Sequence, residues 1–465
     1  MPMRPADAVE LVRDELWPLW RDERERLDRI DRWYRWDPDR VPTPRTATRE
    51  LKTLVDLSTT PWLRLVVSTV AQALRVDGYR SPERRDNSRS WEAWQRNGLE
   101  ARQVAIHRAA LAYGYSFVTV LPGEDDQGNR AAVIRGVSPR KMQAVYADPA
   151  EDDWPMYAVR FESSGDGYAI RLYDEEAIYF LSADKTGGKV EYIEYREHNI
   201  GVCPVVRYAN LLDLDGRAEG EVEPFIPLAA RINKTAFDRL MTQHFNSWKV
   251  RTVAGMSEPD TEEEANLKKL KLRQDDILIA EDPDTKFGSL PETPLDGFIR
   301  AHESDIRTLA AASQTPTYSL TGDMINLSAE GIEAARADFS AKVEERKLML
   351  GRSHDQMLRL SAYVEGDDEG AQDYSAHVTW QDYSVRTLSQ AVDALGKAAQ
   401  LLGVPPKALW ARIPGVTKAD VDEWEAMAAE SDGIARLLEQ LSSLSAEERA
   451  TQGAVAPVVA GGVQS

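Results

Sequence analysis

Between residues 224 and 364 the chain carries a pattern that few folds can absorb. Ile226, Ala230, Phe237, Met241, Phe245 and Trp248 recur at mostly three- or four-residue steps, which predicts one face of an amphipathic helix. Leu295, Phe298, Ile299, Ile306 and Leu309 repeat the pattern over 295–312. Thr315-Pro316 stops it, because a proline in a helix interior removes a donor and clashes with the preceding turn. A polar loop, TYSLTGDMINLS, ends at Ser328, which supplies an N-cap. Beyond it Ala335, Phe339, Val343, Arg346, Leu350, His354, Met357, Leu358 and Ser361 share one helical face. That helix spans about 36 residues, or roughly 54 Å at 1.5 Å per residue. Helices in globular domains average about 11–12 residues. So long a rod suits a spoke or strut in a large assembly.

The segment between the first two helices, 250–294, is long enough for a small subdomain projecting from their tips. It begins VRTVAGM, carries acids over 258–264, then predicts a short helix, ANLKKLKL, and a strand, DILIAED. Upstream, 6–36 reads as a helix or helix pair crowded with Trp17, Trp20, Trp33, Tyr34 and Trp36. Such rings stack nucleobases in some proteins, but an aromatic core or subunit contact is the plainer reading. Helical spacing returns over 50–76, where Pro61 is placed at the first helical position, and over 91–113, closed by Gly114. Residues 115–210 switch to short alternating runs. Turn signals at Asp126-Gln127-Gly128-Asn129, Asp166-Gly167 and Gly187-Gly188 separate them. They predict antiparallel sheets with one wet face, a β-rich module set into a helical protein. After the long helix come an acidic loop, a strand holding Trp380, a helix over 385–402 and a short helix KALWAR. A further helix is predicted from Thr417 to about 444, and the last twenty residues lack periodicity and read as disordered.

Among 465 residues there are 57 basic and 77 acidic ones, a formal net charge of −20. Proteins that grip nucleic acid without regard to sequence need a basic excess to displace counterions. This chain does not hold DNA over its whole surface, though a channel of such chains can pass it. The single cysteine, Cys203, excludes a disulfide framework and reads as a small buried apolar residue, suited to a reducing compartment. The N-terminal stretch does not read as a signal peptide. No run reaches about 18 apolar residues, so no membrane span is expected.

Catalytic signatures are missing. There is no GxxxxGK[ST], HExxH, CxxC, GxSxG or GxGxxG. His107, His198, His244, His302, His354 and His377 are scattered and read as lone side chains, not metal ligands. Asp213, Asp215, Glu219 and Glu221 lack the spacing of a calcium loop and read as a solvated acidic turn. Asp275-Asp276 and Asp367-Asp368 are weak magnesium candidates, the first because neighbours on a strand face opposite ways. No cofactor, metal or active site is expected.

The order of parts, with local sequence, resembles the portal proteins of tailed bacteriophages, in the family of long-tailed phages of Gram-positive hosts. The segments that carry the resemblance are PWLRLVVSTVAQALRVDGYR at 61–80, WEAWQRNGLEARQVAIHRAALAYGYSFVTV at 91–120, FIRAHESDIRTLAAASQTPTYSLTGDMINLSAEGIEA at 298–334 and VTWQDYSVRTLSQAVDALGKAAQLLGVPPKALWARIPGVTKADVDEWE at 378–425. The resemblance implies an α+β, mainly helical portal fold. Its parts would be a wing (1–224), a first stem helix (225–249), a clip (250–294) and a second stem helix (295–314). A tunnel loop (315–328), the long helix with its return to the wing (329–384), a crown (385–444) and a disordered tail (445–465) would follow. It implies a homo-oligomeric ring, usually a dodecamer, at a capsid vertex of the virion, assembled in the host cytoplasm. Double-stranded DNA would pass through it during packaging and ejection. Partners would be the large terminase, a head-tail connector or adaptor protein, and the major capsid and scaffolding proteins. Tunnel-facing candidates are Thr317, Tyr318, Ser319, Thr321, Asp323 and Asn326 in the loop, with the cations Arg300, Arg307, Lys342 and Arg346. The competing reading of the cations is salt bridges along or between helices. Clip candidates for partner binding are Glu262, Glu263, Lys268, Lys269 and Lys271. Two other classes remain open at this point: a capsid-associated nuclease or terminase, and a non-viral intracellular helical scaffold.

Overall fold

The β-rich stretch folds as its alternation predicts, into antiparallel sheets whose inner faces are paired with helices. In the computed structural model the chain is described over residues 1–35, 37–43, 48–82, 88–247, 251–254, 286–289, 293–322, 329–381, 388–413, 416, 420–421 and 423–429. In chain order the helices begin with α1 (Pro5–Glu10), a π-helical turn (Leu11–Leu16) and α2 (Trp17–Tyr34). Then come α3 (Arg49–Leu57), α4 (Trp62–Gln72), β1 (Val76–Arg80), α5 (Ser88–Arg96) and α6 (Leu99–Tyr113). Strands β2 (Tyr115–Glu124), β3 (Arg130–Val137), β4 (Met142–Val145), β5 (Tyr157–Ser164) and β6 (Gly167–Tyr173) follow, then β7 (Ala177–Asp184), β8 (Val190–Glu197), β9 (Val205–Ala209), β10 (Leu211–Leu212) and β11 (Ala218–Glu219). Next are α7 (Ile226–Ser247), β12 (Arg251–Ala254), β13 (Lys286–Ser289), α8 (Asp296–Ala312), α9 (Thr317–Thr321), α10 (Ala329–Glu365), α11 (Asp368–Ala371), β14 (His377–Trp380), α12 (Leu388–Leu402) and α13 (Pro406–Leu409).

The chain divides into two units. The larger holds Met1–Leu74 and Glu92–Asp373, the smaller Arg75–Trp91 and Tyr374–Ser465. In the larger, β4 to β8 form a five-stranded meander and β3-β2-β9 a three-stranded sheet. Strand β7 buries Ala177, Tyr179, Leu181 and Ala183 at alternate positions, as period-two geometry requires. Onto that face α1, the π-helical turn and α2 lay Ala8, Val12, Leu16, Trp17 and Trp20. Trp20 stacks on Phe161 at 4.2 Å and Trp17 meets Phe161 edge-on at 5.4 Å. The N-terminal tryptophans are thus core; Trp36 lies outside the described residues. Cys203 is buried with Phe117, Met142 and Tyr173, and burial pushes its thiol well up. In the smaller unit β1 and β14 pair antiparallel, and α12 leaves Val392, Leu401 and Leu402 exposed.

Several boundaries differ from the sequence reading, each for a local reason. The helix expected over 91–113 is broken at Gly98, which sits in the left-handed region at φ 61°. Beside it Asn97 bonds the Ala93 and Ala132 carbonyls and accepts from the Ile134 amide. The amide of Asn97 thereby ties the break to strand β3. Pro61 is the residue before α4 rather than its first turn. The 50–76 stretch is two helices, separated where Ser58 donates to the Val55 carbonyl. The β5–β6 turn is Gly165-Asp166, one residue earlier than expected, with Gly165 at φ 55°.

Helices α7 and α8 form an antiparallel hairpin. Arg231 pairs with Asp305 at 2.9 Å, Thr235 donates to Asp305 at 3.0 Å, and Asn246 donates to the Thr293 carbonyl at 2.9 Å. The ladder continues past the helices as β12 and β13, with Arg251 opposite Ser289 and Ala254 opposite Lys286. The helix and strand expected at ANLKKLKL and DILIAED lie outside the described residues, as do Ser328, Thr417 and 430–465. The loop expected over 315–328 is helical at its start. Pro316 precedes the five-residue α9, closed by Gly322 at φ 76°. The long helix α10 has 37 residues.

Candidate functional site

The hairpin springs from the larger unit at a corner built by two glycines. Gly114 ends α6 at φ 97°, and a Cβ there would lie 2.5 Å from the Ala218 carbonyl oxygen. A Cβ on Gly220 would lie 2.6 Å from the Gly114 nitrogen. The backbone of 218–221 therefore runs directly against the α6–β2 turn, and the Glu221 amide donates to the Leu111 carbonyl at 2.7 Å. Only side-chain-free residues allow that approach. It fixes where Glu221 sits, five residues before α7 begins.

From this corner the Glu221 side chain enters a buried charge cluster. Lys342 Nζ donates to Glu221 Oε2 at 2.6 Å, and Arg346 Nη2 and Nε donate to Oε1 at 2.9 and 3.2 Å. Lys342 Nζ also donates to the Ser313 carbonyl at 2.8 Å, at the C-cap of α8. Arg346 reaches the rim through Glu345 at 2.7 Å. Glu221, Lys342 and Arg346 are each about 4% exposed. Two cations thus face one buried and one rim carboxylate, and the orphan C-terminal carbonyl of α8 gains a cationic donor. Burial pushes the Glu221 carboxyl up, but Lys342 and then Arg346 outweigh it and hold it below the usual carboxylate range.

The cluster corrects two expectations. Lys342 and Arg346 are not surface cations available to a duplex; they are buried and matched by an acid 121 and 125 residues away in sequence. Glu221 does not belong to a solvated acidic turn. Asp213 does, accepting from the Asp215 and Arg217 amides in an exposed turn. The other candidates stand as follows. Arg300 is exposed, and Arg307 is exposed with Glu303 at 3.6 Å on the same helix. Thr317 is exposed, while Tyr318, Ser319 and Thr321 are half-buried on α9. Tyr318 accepts a hydrogen bond from Arg336 Nε, with the guanidinium also over its ring at 5.6 Å. Asp323, Asn326, Glu262, Glu263, Lys268, Lys269 and Lys271 lie outside the described residues.

The histidines are not all solitary either. His107 Nε2 lies 2.7 Å from His354 Nε2, both rings fully buried between α6 and α10. His107 Nδ1 faces the Leu74 carbonyl at 3.2 Å, so that nitrogen carries the proton. His107 Nε2 is then an acceptor, His354 Nε2–H the donor, and His354 Nδ1 accepts from the Tyr208 hydroxyl at 3.0 Å. The chain is complete with both rings neutral. Burial drives His107 down to about 4 and His354 well below its ordinary value, the latter also opposed by His107. Among the described residues no group of three or more His, Cys, Asp or Glu is arranged to hold a metal ion. Asp367 accepts from the Gly370 amide at 3.0 Å as the cap of α11, and Asp368 lies in the first turn of that helix; Asp275-Asp276 lies outside the described residues. A cleft of about 1250 Å³ opens among Leu19, Tyr115, Val145 and Leu212, and on its wall Arg26 bonds Glu23 and Glu223. Among the described residues no helix is long and apolar enough to cross a membrane.

A helical hairpin extended by a β-ribbon and braced by a long helix on a β-rich body is the architecture of a phage portal subunit, and the comparisons agree. The family model "Phage portal protein, SPP1 Gp6-like" matches residues 14–434, and the chain belongs to that family. Relatives include the portal protein of Mycobacterium phage L5, 27% identical over 370 residues covering 76% of this chain and 74% of that one. The portal protein of Mycobacterium phage D29 is 26% identical over 356 residues, covering 72% and 71%. Similar solved structures include "Neck of native GTA particle computed with C12 symmetry", at a TM-score of 0.43 and 13% identity, covering 78% of this chain and 96% of that one. Members of this family are structural components of the phage virion.

Proposed function

We propose that this chain is the repeating subunit of a dodecameric ring at one capsid vertex, through which double-stranded DNA is packaged and later ejected. The family match over 14–434 carries the reading. In it, α7 and α8 are the stem, the ribbon β12–β13 and its insert the clip, and residues 1–224 with α10 the wing. The clip would meet the large terminase and later the head-tail connector, and the wing would meet major capsid and scaffolding proteins during assembly in the host cytoplasm.

The charge balance supports passage without grip. Duplex DNA carries one negative charge per about 1.7 Å of axis. A ring of chains each at −20 repels it at short range, while salt screens the effect beyond about 8–10 Å. Few long-lived contacts then form, and the duplex slides. Burial of Lys342 and Arg346 removes two cations from the wall and strengthens that argument. Arg300 and Arg307 remain as the exposed cations of α8 that would steady the strand. The segment 315–328 would line the constriction. Imaging the pure protein by negative-stain microscopy tests the reading: rings of about twelve copies with an open centre are expected by closed cyclic symmetry, and monomers or dimers at all concentrations refute it. Deleting 317–326 is expected to leave rings intact and to impair filling or retention of DNA; rings with normal filling would remove the loop's role.

A further inference from the structure

We infer that the Glu221–Lys342–Arg346 cluster is the joint that sets the angle between the α7–α8 hairpin and the long helix α10, and through it the number of subunits that close the ring; the inference rests on the ring reading above. Three elements meet in that cluster. Glu221 is pinned by its own amide to the end of α6 and leads into α7. Ser313 is the C-cap of α8. Lys342 and Arg346, one turn apart, are α10. Lys342 touches both legs of the hairpin's base at once, through the Glu221 carboxylate at 2.6 Å and the Ser313 carbonyl at 2.8 Å.

The tolerance that ring closure demands makes such a joint necessary. Neighbours in a twelvefold and a thirteenfold ring differ in rotation by only about 2°. Along the 22 residues of α7, about 33 Å at 1.5 Å per residue, that angle moves the hairpin tip by about 1 Å. Apolar packing alone tolerates slips of that size between near-equivalent rotamer sets. A planar guanidinium and an ammonium closing on one carboxylate do not, because a shift of 1 Å breaks a buried charge-assisted hydrogen bond. An exposed bridge such as Arg231–Asp305 is re-formed through water and fixes no angle.

Native mass spectrometry of assembled rings tests this with two variants and one control. The triple variant Glu221→Gln, Lys342→Met, Arg346→Met removes every charge of the buried trio while keeping volume, an exchange that buried ion clusters often tolerate. Glu221→Asp keeps all charges but shortens the reach by one methylene. Both are expected to assemble with several-fold more rings off the main subunit number, while Arg231→Ala keeps the wild-type distribution. If either variant unfolds cooperatively, closes rings and shows the single wild-type subunit number, the joint is only a stabilising contact and the inference falls. If the triple variant does not fold, Glu221→Asp decides alone. Wild-type protein that forms no ring under any condition refutes the ring reading itself, which is a separate outcome.

Discussion

Two polar clusters are buried against the same helix, about two to three turns apart, and they meet the cost of burial in opposite ways. Around Lys342 and Arg346 the charges are kept and each is matched, with Glu221 at the centre and Glu345 at the rim. Around His354 charge is discarded: two neutral imidazoles and a tyrosine hydroxyl hand hydrogen bonds along one direction to the Leu74 carbonyl. The first arrangement is strong and directional but fails if any member leaves. The second costs little at neutral pH and becomes a liability when protons are plentiful. The part of α10 that braces the hairpin therefore uses the rigid solution. The part packed on α6 and β9 uses the quiet one.

The sharpest way to break the comparison is to remove the acid. Glu221→Ala strands Lys342 and Arg346 without a buried partner, and a loss of about 3–5 kcal/mol is expected. Urea unfolding of the assembled protein measures it. A loss below about 1 kcal/mol would mean that water reaches the cations and that the cluster behaves as a surface pair.

The histidine cluster is tested by pH. An unfolded histidine titrates near 6.5, while His107 in the folded chain is held at about 4 by burial. Between those values the unfolded chain binds the extra proton and the folded chain does not. Stability is therefore full above 6.5 and falls as the pH drops toward 4, by about 3 kcal/mol for His107 alone. His354 adds in the same direction. Tyr208 stays protonated throughout, since burial first and Asp355 second push its hydroxyl up. The measurement is unfolding free energy against pH for wild type and His107→Met. Whatever stability the variant loses overall, its slope across that window is expected to be shallower; an unchanged slope assigns the acid sensitivity elsewhere. The carboxylate cluster is expected to contribute little to that slope above the usual carboxylate range, because Glu221 is held ionised by its cations.

How much of this was readable from the sequence depends on distance along the chain. The stripe that put Phe339, Val343, Arg346, Leu350, His354, Met357 and Leu358 on one face of a single helix is a local signal, and all seven are buried on α10. The same stripe included Arg346, yet its charge drew it toward a DNA-facing role. The periodicity was the better guide, and what it lacked was the partner. Glu221 is 125 residues away and reads in sequence as one acid among several. His107 and His354 are 247 residues apart, so each looked solitary. The Asn97-Gly98 break shows the opposite failure: a local cue was present, but only its bonds to β3 make it decisive. Clip candidates from Glu262 to Lys271 stay where the sequence left them.

A gentler cut tests whether the neutral chain is a set of hydrogen bonds or merely good packing. Tyr208→Phe keeps the ring against His354, whose centroids lie 4.8 Å apart, and deletes only the hydroxyl. His354 Nδ1 then becomes a buried acceptor without its donor, and a loss of about 1–2 kcal/mol is expected at neutral pH. A negligible loss would mean that a water replaces the hydroxyl or that packing, and not the Tyr208 hydrogen bond, holds His354 in place.

The smallest expected effect supplies the control for charge itself. Arg231 and Asp305 make an ion pair across the hairpin at 2.9 Å, as short as Arg346 to Glu221, but the arginine side chain is half exposed. If distance governed strength, Arg231→Ala would cost as much as the loss of Glu221. Solvent screening and the entropy of ordering a long side chain argue otherwise, and a loss of no more than about 1 kcal/mol is expected. Thr235 still donates to Asp305 in the variant, so the carboxylate is not orphaned. Raising salt from low to molar concentration should remove most of what remains, because the Debye length shrinks to about 3 Å, while leaving the Glu221 cluster nearly untouched. A large, salt-resistant loss at Arg231 would show that the hairpin interface is drier than its exposure indicates, and that its rigidity does not depend on the buried joint alone.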